Sequence, residues 1–167
     1  MRRVLVARKR AVPEANGMRV VVQRVGEASV EVDGKTVSSI GPGLLVLAAF
    51  ARGDGDAELD WMARKCLELR IFEDGKGVMN RSVLEEEGAL LVVPQFTLYG
   101  DCRKGRRPDF TGSAPAEEAR HLYRKFIDML NGHYPRIAEG VFGAMMKVRL
   151  VNSGPVTLII DRGGEAL

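Results

Sequence analysis

The residues best suited to do chemistry lie in short segments where predicted strands end or break. Gln95-Phe96-Thr97-Leu98 follows a predicted buried strand, and amides at a strand end can form an oxyanion hole. A plain turn with Thr97 bonded to a local carbonyl is the alternative. Gly154-Pro155 separates two β-rich runs, where a proline interrupts pairing. It is either a hairpin turn or a backbone element lining a site, for which a cis bond is suited.

Two further segments could contact nucleic acid. Four cations occupy five positions after Cys102, and this density suits a phosphate backbone, although a solvated basic loop is the alternative. These cations are Arg103, Lys104, Arg106 and Arg107. Phe142, four residues before Met146, either enters a strand or is partly exposed and stacks on a nucleobase.

Several common catalytic centres are excluded. The chain has no nucleophile elbow, P-loop, dinucleotide-binding glycine motif or H-E-x-x-H sequence. Its two histidines, His121 and His133, have no neighbouring ligands and are expected to be solvated helix residues. We therefore predict neither a metal nor a cofactor. If the protein is an enzyme, its chemistry must come from the backbone, a hydroxyl or the substrate itself.

Composition predicts one globular domain preceded by a basic extension. The chain has 167 residues, with 46% hydrophobic and 28% charged residues. Residues 1–17 carry five cations and one acid, a net charge of +4, so the other 150 residues sum to −1. We predict that residues 1–17 are a flexible tail or a mis-assigned start, and that residues 18–167 form the domain. Without a secretory signal or membrane-length apolar run, we expect a cytoplasmic protein with reduced Cys66 and Cys102.

Hydrophobic periodicity predicts a mixed α/β fold. Two helices are expected, one capped by Asp54 or Asp56 and one running from Pro115 to Asn131-Gly132. The strands should pair largely antiparallel in sheet layers, with both helices packed on one side. The predicted strands are Met18–Val25, Ala28–Val32, Lys35–Ile40, Leu44–Phe50, Ala89–Val93 and the two runs around Gly154-Pro155.

Together these motifs resemble the D-aminoacyl-tRNA deacylases, the D-tyrosyl-tRNA deacylase family. A strand followed by Q-F-T-L, a basic loop with R-R-P-x-F and a C-terminal N-x-G-P-V-T occur in the family's order, from Met18 to about Asp161. The resemblance implies a cytoplasmic homodimer that hydrolyses the ester between a D-amino acid and the 3′ end of tRNA. It also implies removal of glycine mischarged on tRNA for alanine.

The resemblance assigns roles to particular residues. Gly154-Pro155 would be a cis dipeptide that enters the partner subunit's site, holds the substrate α-amino group and excludes L side chains. Amides of the segment Gln95, Phe96 and Thr97 would stabilise the oxyanion. Arg24 would brace the Gly-Pro, unless it is a surface strand cation. Phe142 and Met146 would line the terminal adenosine pocket, with core packing as the alternative for Met146.

Three questions stay open at this level. Thr97 could be the nucleophile, but we favour assistance from the terminal ribose 2′-hydroxyl because no base lies near it in either motif. Pro94 stands where the family usually has Ser, so no catalytic role can rest on that position. The rival functions are deacylation of L-alanine from the wrong tRNA, a tRNA-end-binding module without catalysis, and a general esterase, which the lack of an activated nucleophile disfavours.

Overall fold

A curled six-stranded sheet with two helices on one face forms the body of the protein. The computed structural model describes residues 17–163, so the predicted extension lies outside the described residues except for Gly17. The strands are β1 (Met18–Val32), β2 (Lys35–Ile40), β3 (Gly43–Ala49), β4 (Phe72–Glu73), β5 (Met79–Arg81), β6 (Ala89–Pro94), β7 (Ile137–Glu139) and β8 (Met146–Arg162). The helices are α1 (Asp56–Glu68) and α2 (Ala116–His133), and a short 3-10 helix spans Phe96–Tyr99.

Strand β1 is the centre of the sheet. It pairs with β8 along one edge, while its other edge pairs with β3 in its first half and β2 in its second. The predicted break between Val25 and Ala28 was wrong. Register shifts at this point bend the strand without ending it, and β1 continues for 15 residues.

Strands β3 and β6 are buried on both faces, as their continuous apolar sequences predict. They pair in parallel with each other, and β6 pairs in parallel with β7, whereas β1 is antiparallel to β2, β3 and β8. One face of the sheet packs against α1 and α2, and the other face curls over a smaller core. The predicted mixed α/β class with both helices on one side is confirmed.

The ends of both helices differ slightly from the prediction. Glu58 caps α1 by accepting a hydrogen bond from the Gly55 amide at 2.9 Å. The predicted cap Asp54 accepts instead from the Ala51 amide at 2.7 Å, so it supports the preceding turn. Helix α2 continues past Asn131-Gly132 to His133, because its last turn packs against α1 and the sheet.

Candidate active site

The Gly-Pro segment is a bulge within β8, and the hairpin interpretation was wrong. Thr157 pairs with Gln23 and Asn152 pairs with Val25, so residues 153–156 all stand opposite Arg24. Both flanks pair with the same strand in the same direction, which a hairpin does not allow. The Gly154-Pro155 bond is cis, and both residues are exposed. The bulge therefore presents four residues of backbone outside the ladder.

Arg24 of β1 is hydrogen-bonded to the backbone of this bulge. Its Nε donates to the Ser153 carbonyl at 2.9 Å and its Nη1 donates to the Ile71 carbonyl at 2.7 Å. Only 11% of its side chain is exposed, and Nη2 lies 4.0 Å from the Glu73 carboxylate. The structure thus brings Arg24 to the Gly-Pro segment, and the alternative of a surface strand cation does not hold.

Asn152 closes the base of the bulge, a contact that the sequence analysis missed. Its Oδ1 accepts from the Val156 amide at 2.8 Å, and its Nδ2 donates to Thr157 Oγ1 at 2.8 Å. Gln23 on β1 also donates to that hydroxyl, at 3.3 Å. The N-x-G-P-V-T spacing was the available signal, because asparagine side chains commonly satisfy nearby backbone groups in turns.

Position 154 accepts only glycine without a rearrangement. Its φ is +132°, a conformation that residues with a side chain rarely adopt. A Cβ there would lie 2.9 Å from both Arg24 Nη2 and Val156 Cγ2. The Arg24 guanidinium consequently packs directly against the backbone of the bulge.

The second candidate segment leaves backbone amides unpaired where β6 ends. The Gln95 amide donates to the Ala48 carbonyl at 2.8 Å, and the Leu98 amide donates to the Gln95 carbonyl at 3.2 Å. The amides of Phe96 and Thr97 make no hydrogen bond within residues 17–163. They are the first amides of the 3-10 helix, which have no partner inside it. Two adjacent free amides in an exposed segment can bind an oxyanion.

The Thr97 hydroxyl has no base beside it. It accepts a hydrogen bond from the Gln95 side-chain amide instead of bonding to a local carbonyl. Within the described part of the chain, no His, Lys or carboxylate group is hydrogen-bonded to it. The geometry therefore offers no activation for a threonine nucleophile.

An exposed aromatic pair and the basic loop adjoin this segment. The rings of Phe96 and Phe110 meet edge to face with centroids 5.2 Å apart. The loop is closed at its base by two backbone hydrogen bonds between Asp101 and Asp109. Hydrogen bonds from Arg103 hold the pKa of Asp101 down at about 2. Three other loop cations form no ion pair or hydrogen bond within residues 17–163: Lys104, Arg106 and Arg107.

Phe142 and Met146 occupy different surroundings. The Phe142 ring packs 5.9 Å from Tyr123, beneath the Arg120 guanidinium, in the segment that precedes β8. Met146 packs on the smaller core, and its sulfur accepts from the Val141 amide at 3.4 Å. The core alternative for Met146 therefore accounts for most of its contacts, whereas Phe142 is half-buried beside open space.

The two candidate segments do not meet within one chain. Gln95 bonds to Ala48, which pairs with Val20 on β1, whereas the bulge stands opposite Arg24. Four residues along β1 and three strand spacings separate them, about 20 Å along the sheet surface. Residues 17–163 contain no hydrogen bond between the two segments.

The histidines and the buried Cys66 lie outside both candidate segments. His133 Nε2 lies 3.0 Å from the Asp60 carboxylate on α1, and His121 is exposed. Burial raises the pKa of the Cys66 thiol to about 12. No group of His, Cys, Asp or Glu suited to a metal ion occurs among the described residues. Within the same residues, no helix is long and apolar enough to cross a membrane.

Comparison with known proteins identifies the family. A family model described as D-Tyr-tRNA(Tyr) deacylase matches residues 21–161. The D-aminoacyl-tRNA deacylase of Prosthecochloris aestuarii is 55% identical over 145 residues, which cover 86% of this chain and 99% of the relative. That of Desulfitobacterium hafniense is 55% identical over 144 residues, covering 86% and 97%.

Two solved structures are similar to this chain. A structure titled c-Myc DNA Unwinding Element Binding Protein is 41% identical, with a TM-score of 0.82, and covers 86% of this chain and 98% of that one. A probable eukaryotic D-amino acid tRNA deacylase, 24% identical with a TM-score of 0.74 over 87% of this chain and all of that one, shares the fold. The chain belongs to the D-Tyr-tRNA(Tyr) deacylase family.

Proposed function

We propose that this protein hydrolyses the ester bond of D-aminoacyl-tRNA, releasing tRNA and a D-amino acid, and rejects L-aminoacyl-tRNA. The activity named for its 55% identical relatives supports the reaction. The observation that carries the selectivity is the exposed bulge at Gly154-Pro155. Arg24 is bonded to this bulge and lies so close to it that a side chain at position 154 would not fit. A fixed wall of backbone can discriminate between enantiomers by excluding one side chain.

The proposed chemistry depends on the backbone and on the substrate. Water attacks the ester carbonyl, the amides of Phe96 and Thr97 bind the oxyanion, and the ester C–O bond then breaks. The terminal ribose 2′-hydroxyl positions the water and relays its proton to the departing 3′-oxygen. This assignment is supported by the two free amides and by the lack of a base beside Thr97. Pro94, which has no N–H, takes no part.

Chirality is selected at the amino acid's α-carbon. The carbonyls of Gly154 and Pro155 accept hydrogen bonds from the substrate α-amino group, and the backbone of the bulge blocks the direction in which an L side chain would point. A D side chain points away from this wall. Glycine has no side chain to exclude, so we also expect hydrolysis of glycine mischarged on tRNA for alanine.

The site is proposed to form across a homodimer in the cytoplasm. The separation of the two segments, about 20 Å along the sheet surface, supports this arrangement, since neither subunit alone would join them. Strand β8 pairs only with β1 within residues 17–163, so its outer edge is open. Exposed apolar side chains lie on this strand, including Leu150, Val151 and Ile159. A long open edge of this kind is suited to pairing with a second chain.

The tRNA is proposed to bind around this site. Phe142 and Met146 line the pocket of the terminal adenosine, and the basic loop contacts phosphates. Three of its cations, Lys104, Arg106 and Arg107, are unpaired in the described structure and carry most of this role, while Arg103 is also bound to Asp101.

Deacylation assays test the function directly. We expect release of D-Tyr from D-Tyr-tRNA at a rate far above that of L-Tyr from L-Tyr-tRNA, together with release of glycine from Gly-tRNA(Ala). Release from neither tyrosyl substrate would leave only a tRNA-end-binding module. Preferential release of L-alanine from the wrong tRNA would instead identify the protein as a deacylase of mischarged L-alanine.

A mixing experiment tests the cross-subunit site. Gly154→Ala disrupts the bulge and Phe96→Pro removes one oxyanion amide, so each homodimer should be inactive. Refolding the two variants together creates heterodimers in which one site has an intact bulge and an intact strand-end segment. Recovery of activity in the mixture is expected, whereas a site contained in one chain would give none.

A further inference from the structure

A cavity of about 600 Å³ lies between α2 and the segment after β7, and of its lining residues the proposed function uses only Phe142. This volume is within the range of small-molecule sites, about 300–1,000 Å³. Its principal lining residues are Arg120, His121, Tyr123, Arg124, Glu139 and Phe142. The cavity thus combines one aromatic wall with cations and carboxylates.

Arg120 is a cation in this cavity whose N–H groups are free to bind a ligand. Its guanidinium lies 4.8 Å from the centre of the Phe142 ring, and it makes no hydrogen bond or ion pair within residues 17–163. Arg124, one turn further along α2, is instead paired with Asp128 and Glu139, each at 3.2 Å. The ring holds the Arg120 plane in place without using its N–H groups, an arrangement suited to a phosphate ligand.

The cavity adjoins the strand-end segment. Gly140 lines it and donates to the Val92 carbonyl at 2.8 Å, and a Cβ built on Gly140 would lie 3.5 Å from Pro94. Gly143, in the loop between β7 and β8, has a φ of +79° and passes close to Arg120. A Cβ added at Gly143 would lie 3.5 Å from Arg120 Nη2. A ligand that extends from the ester site past Phe142 would therefore enter this space.

The carboxylates in the cavity indicate a ligand that carries hydrogen-bond donors as well as a negative charge. Within residues 17–163 Glu117 forms no ion pair, whereas the Glu139 carboxylate is paired with Arg124, whose Nη1 lies 3.2 Å from the buried Oε2. Glu117 therefore repels a free phosphate, and both carboxylates can accept hydrogen bonds from a ribose hydroxyl or a base amino group. A nucleotide supplies one phosphodiester charge together with such donors.

We propose that this cavity binds the nucleotide that precedes the terminal adenosine of tRNA, and that Arg120 binds the phosphodiester joining these two nucleotides. The inference rests on the proposed function, because it follows the path of the substrate away from the ester. Arg120 is then a substrate-binding residue outside the chemical step. Its contribution appears in KM and leaves kcat unchanged.

A substrate with one altered linkage tests this contact. D-Tyr-tRNA is prepared with a neutral methylphosphonate in place of the phosphodiester before the terminal adenosine. We expect the wild-type enzyme to lose about tenfold in kcat/KM on this substrate, the effect of one charge-assisted hydrogen bond. Arg120→Gln should lose about tenfold on the natural substrate and nothing further on the altered one. It should also lower the salt dependence of binding by about one unit of slope.

Matched variants give the control. Arg64→Gln removes an exposed arginine of α1 that pairs with Asp60 outside the cavity, and it should change kcat/KM less than twofold on either substrate. Arg120→Lys, which keeps the charge but not the planar stack, should recover part of the loss. Thermal unfolding establishes that each variant is folded.

The outcomes separate the two proposals. A wild-type enzyme that hydrolyses both substrates equally would overturn the Arg120 contact. So would a result in which the losses of kcat/KM from Arg120→Gln and from the methylphosphonate multiply when the two changes are combined. A wild-type enzyme that releases nothing from natural D-Tyr-tRNA would overturn the proposed function, and this inference with it.

Discussion

The bulge at residues 152–157 and the strand-end segment at residues 95–99 are stabilised in different ways. Side chains from other parts of the chain hold the bulge, chiefly Arg24 and Gln23 of β1, together with its own Asn152. The strand-end segment is stabilised by its own backbone turns, by the Gln95 amide on Ala48 and by Arg19, whose Nη1 donates to the Leu98 carbonyl at 3.1 Å. The bulge is therefore held mainly by side chains, whereas a local backbone turn orients the free amides of Phe96 and Thr97.

This difference matches what each segment is proposed to do. A backbone segment that excludes one enantiomer by steric contact must be rigid, so it needs support from several directions. An oxyanion hole needs only amides that are oriented and unpaired, and a 3-10 turn provides these with any side chain. We therefore expect function to be sensitive to substitutions that loosen the bulge and tolerant of side-chain changes in the strand-end segment.

The largest effect is expected from Gly154→Ala. The added Cβ would lie 2.9 Å from Arg24 Nη2, in a backbone conformation with φ of +132°. We expect kcat/KM on D-Tyr-tRNA to fall about 100-fold or more as the bulge shifts. Gly34→Ala is the control, because Gly34 also has positive φ but nothing lies within 4 Å of its Cβ. Equal activity in both variants would contradict the importance of crowding at the bulge.

Arg24→Gln should have the next largest effect. The change removes hydrogen bonds to the Ser153 and Ile71 carbonyls, so we expect about 2 kcal/mol less free energy of unfolding and about tenfold less activity. Release of L-Tyr should rise relative to D-Tyr, which a merely structural role would not cause. The control is Arg149→Gln, since Arg149 is an exposed arginine paired with Glu31. An unchanged D-to-L ratio would argue against the brace.

Asp54 is expected to make the stability of the turn at Ala51 depend on pH, and this turn packs against Tyr99 at the end of the strand-end segment. Burial raises the pKa of its carboxyl to about 6 from 3.8, against the hydrogen bond from Ala51. The folded state holds this proton more tightly, so its contribution to stability is fully present below about pH 4 and is lost as pH rises through 6. After allowance for partial exposure we expect a change of about 1 kcal/mol.

Denaturant unfolding at several pH values measures this contribution. Asp54→Asn should remove the decline in stability between pH 4 and 6. Retention of the same slope in that variant would assign the pH dependence to another group.

Thr97→Ala should have the smallest effect. The variant keeps the Thr97 amide and loses only a hydroxyl that accepts from Gln95. We expect less than about a threefold loss of kcat on D-Tyr-tRNA, because the amide supplies the oxyanion contact. Single-turnover kinetics give the comparison, and a loss of about 1,000-fold would instead establish the hydroxyl as the nucleophile.

Local patterns were sufficient for much of the fold. Continuous apolar runs predicted the doubly buried strands β3 and β6, and 3.6-residue periodicity predicted both helices. The hairpin at Gly154-Pro155 and the break after Val25 were wrong for one reason. Each was inferred from a local interruption, whereas continuous pairing between β1 and β8 carries both strands through it.

The sequence by itself determined which segments are buried and which residue types are available for chemistry. Apolar runs must leave water, so the buried strands and the buried helix faces follow from composition and periodicity. Only the tertiary structure decided how they combine. Arg24 reaches Ser153 across 129 residues of sequence, and the Phe96 and Thr97 amides stay free because no strand among residues 17–163 pairs with them. Such contacts depend on the register between strands distant in sequence, which no local pattern specifies.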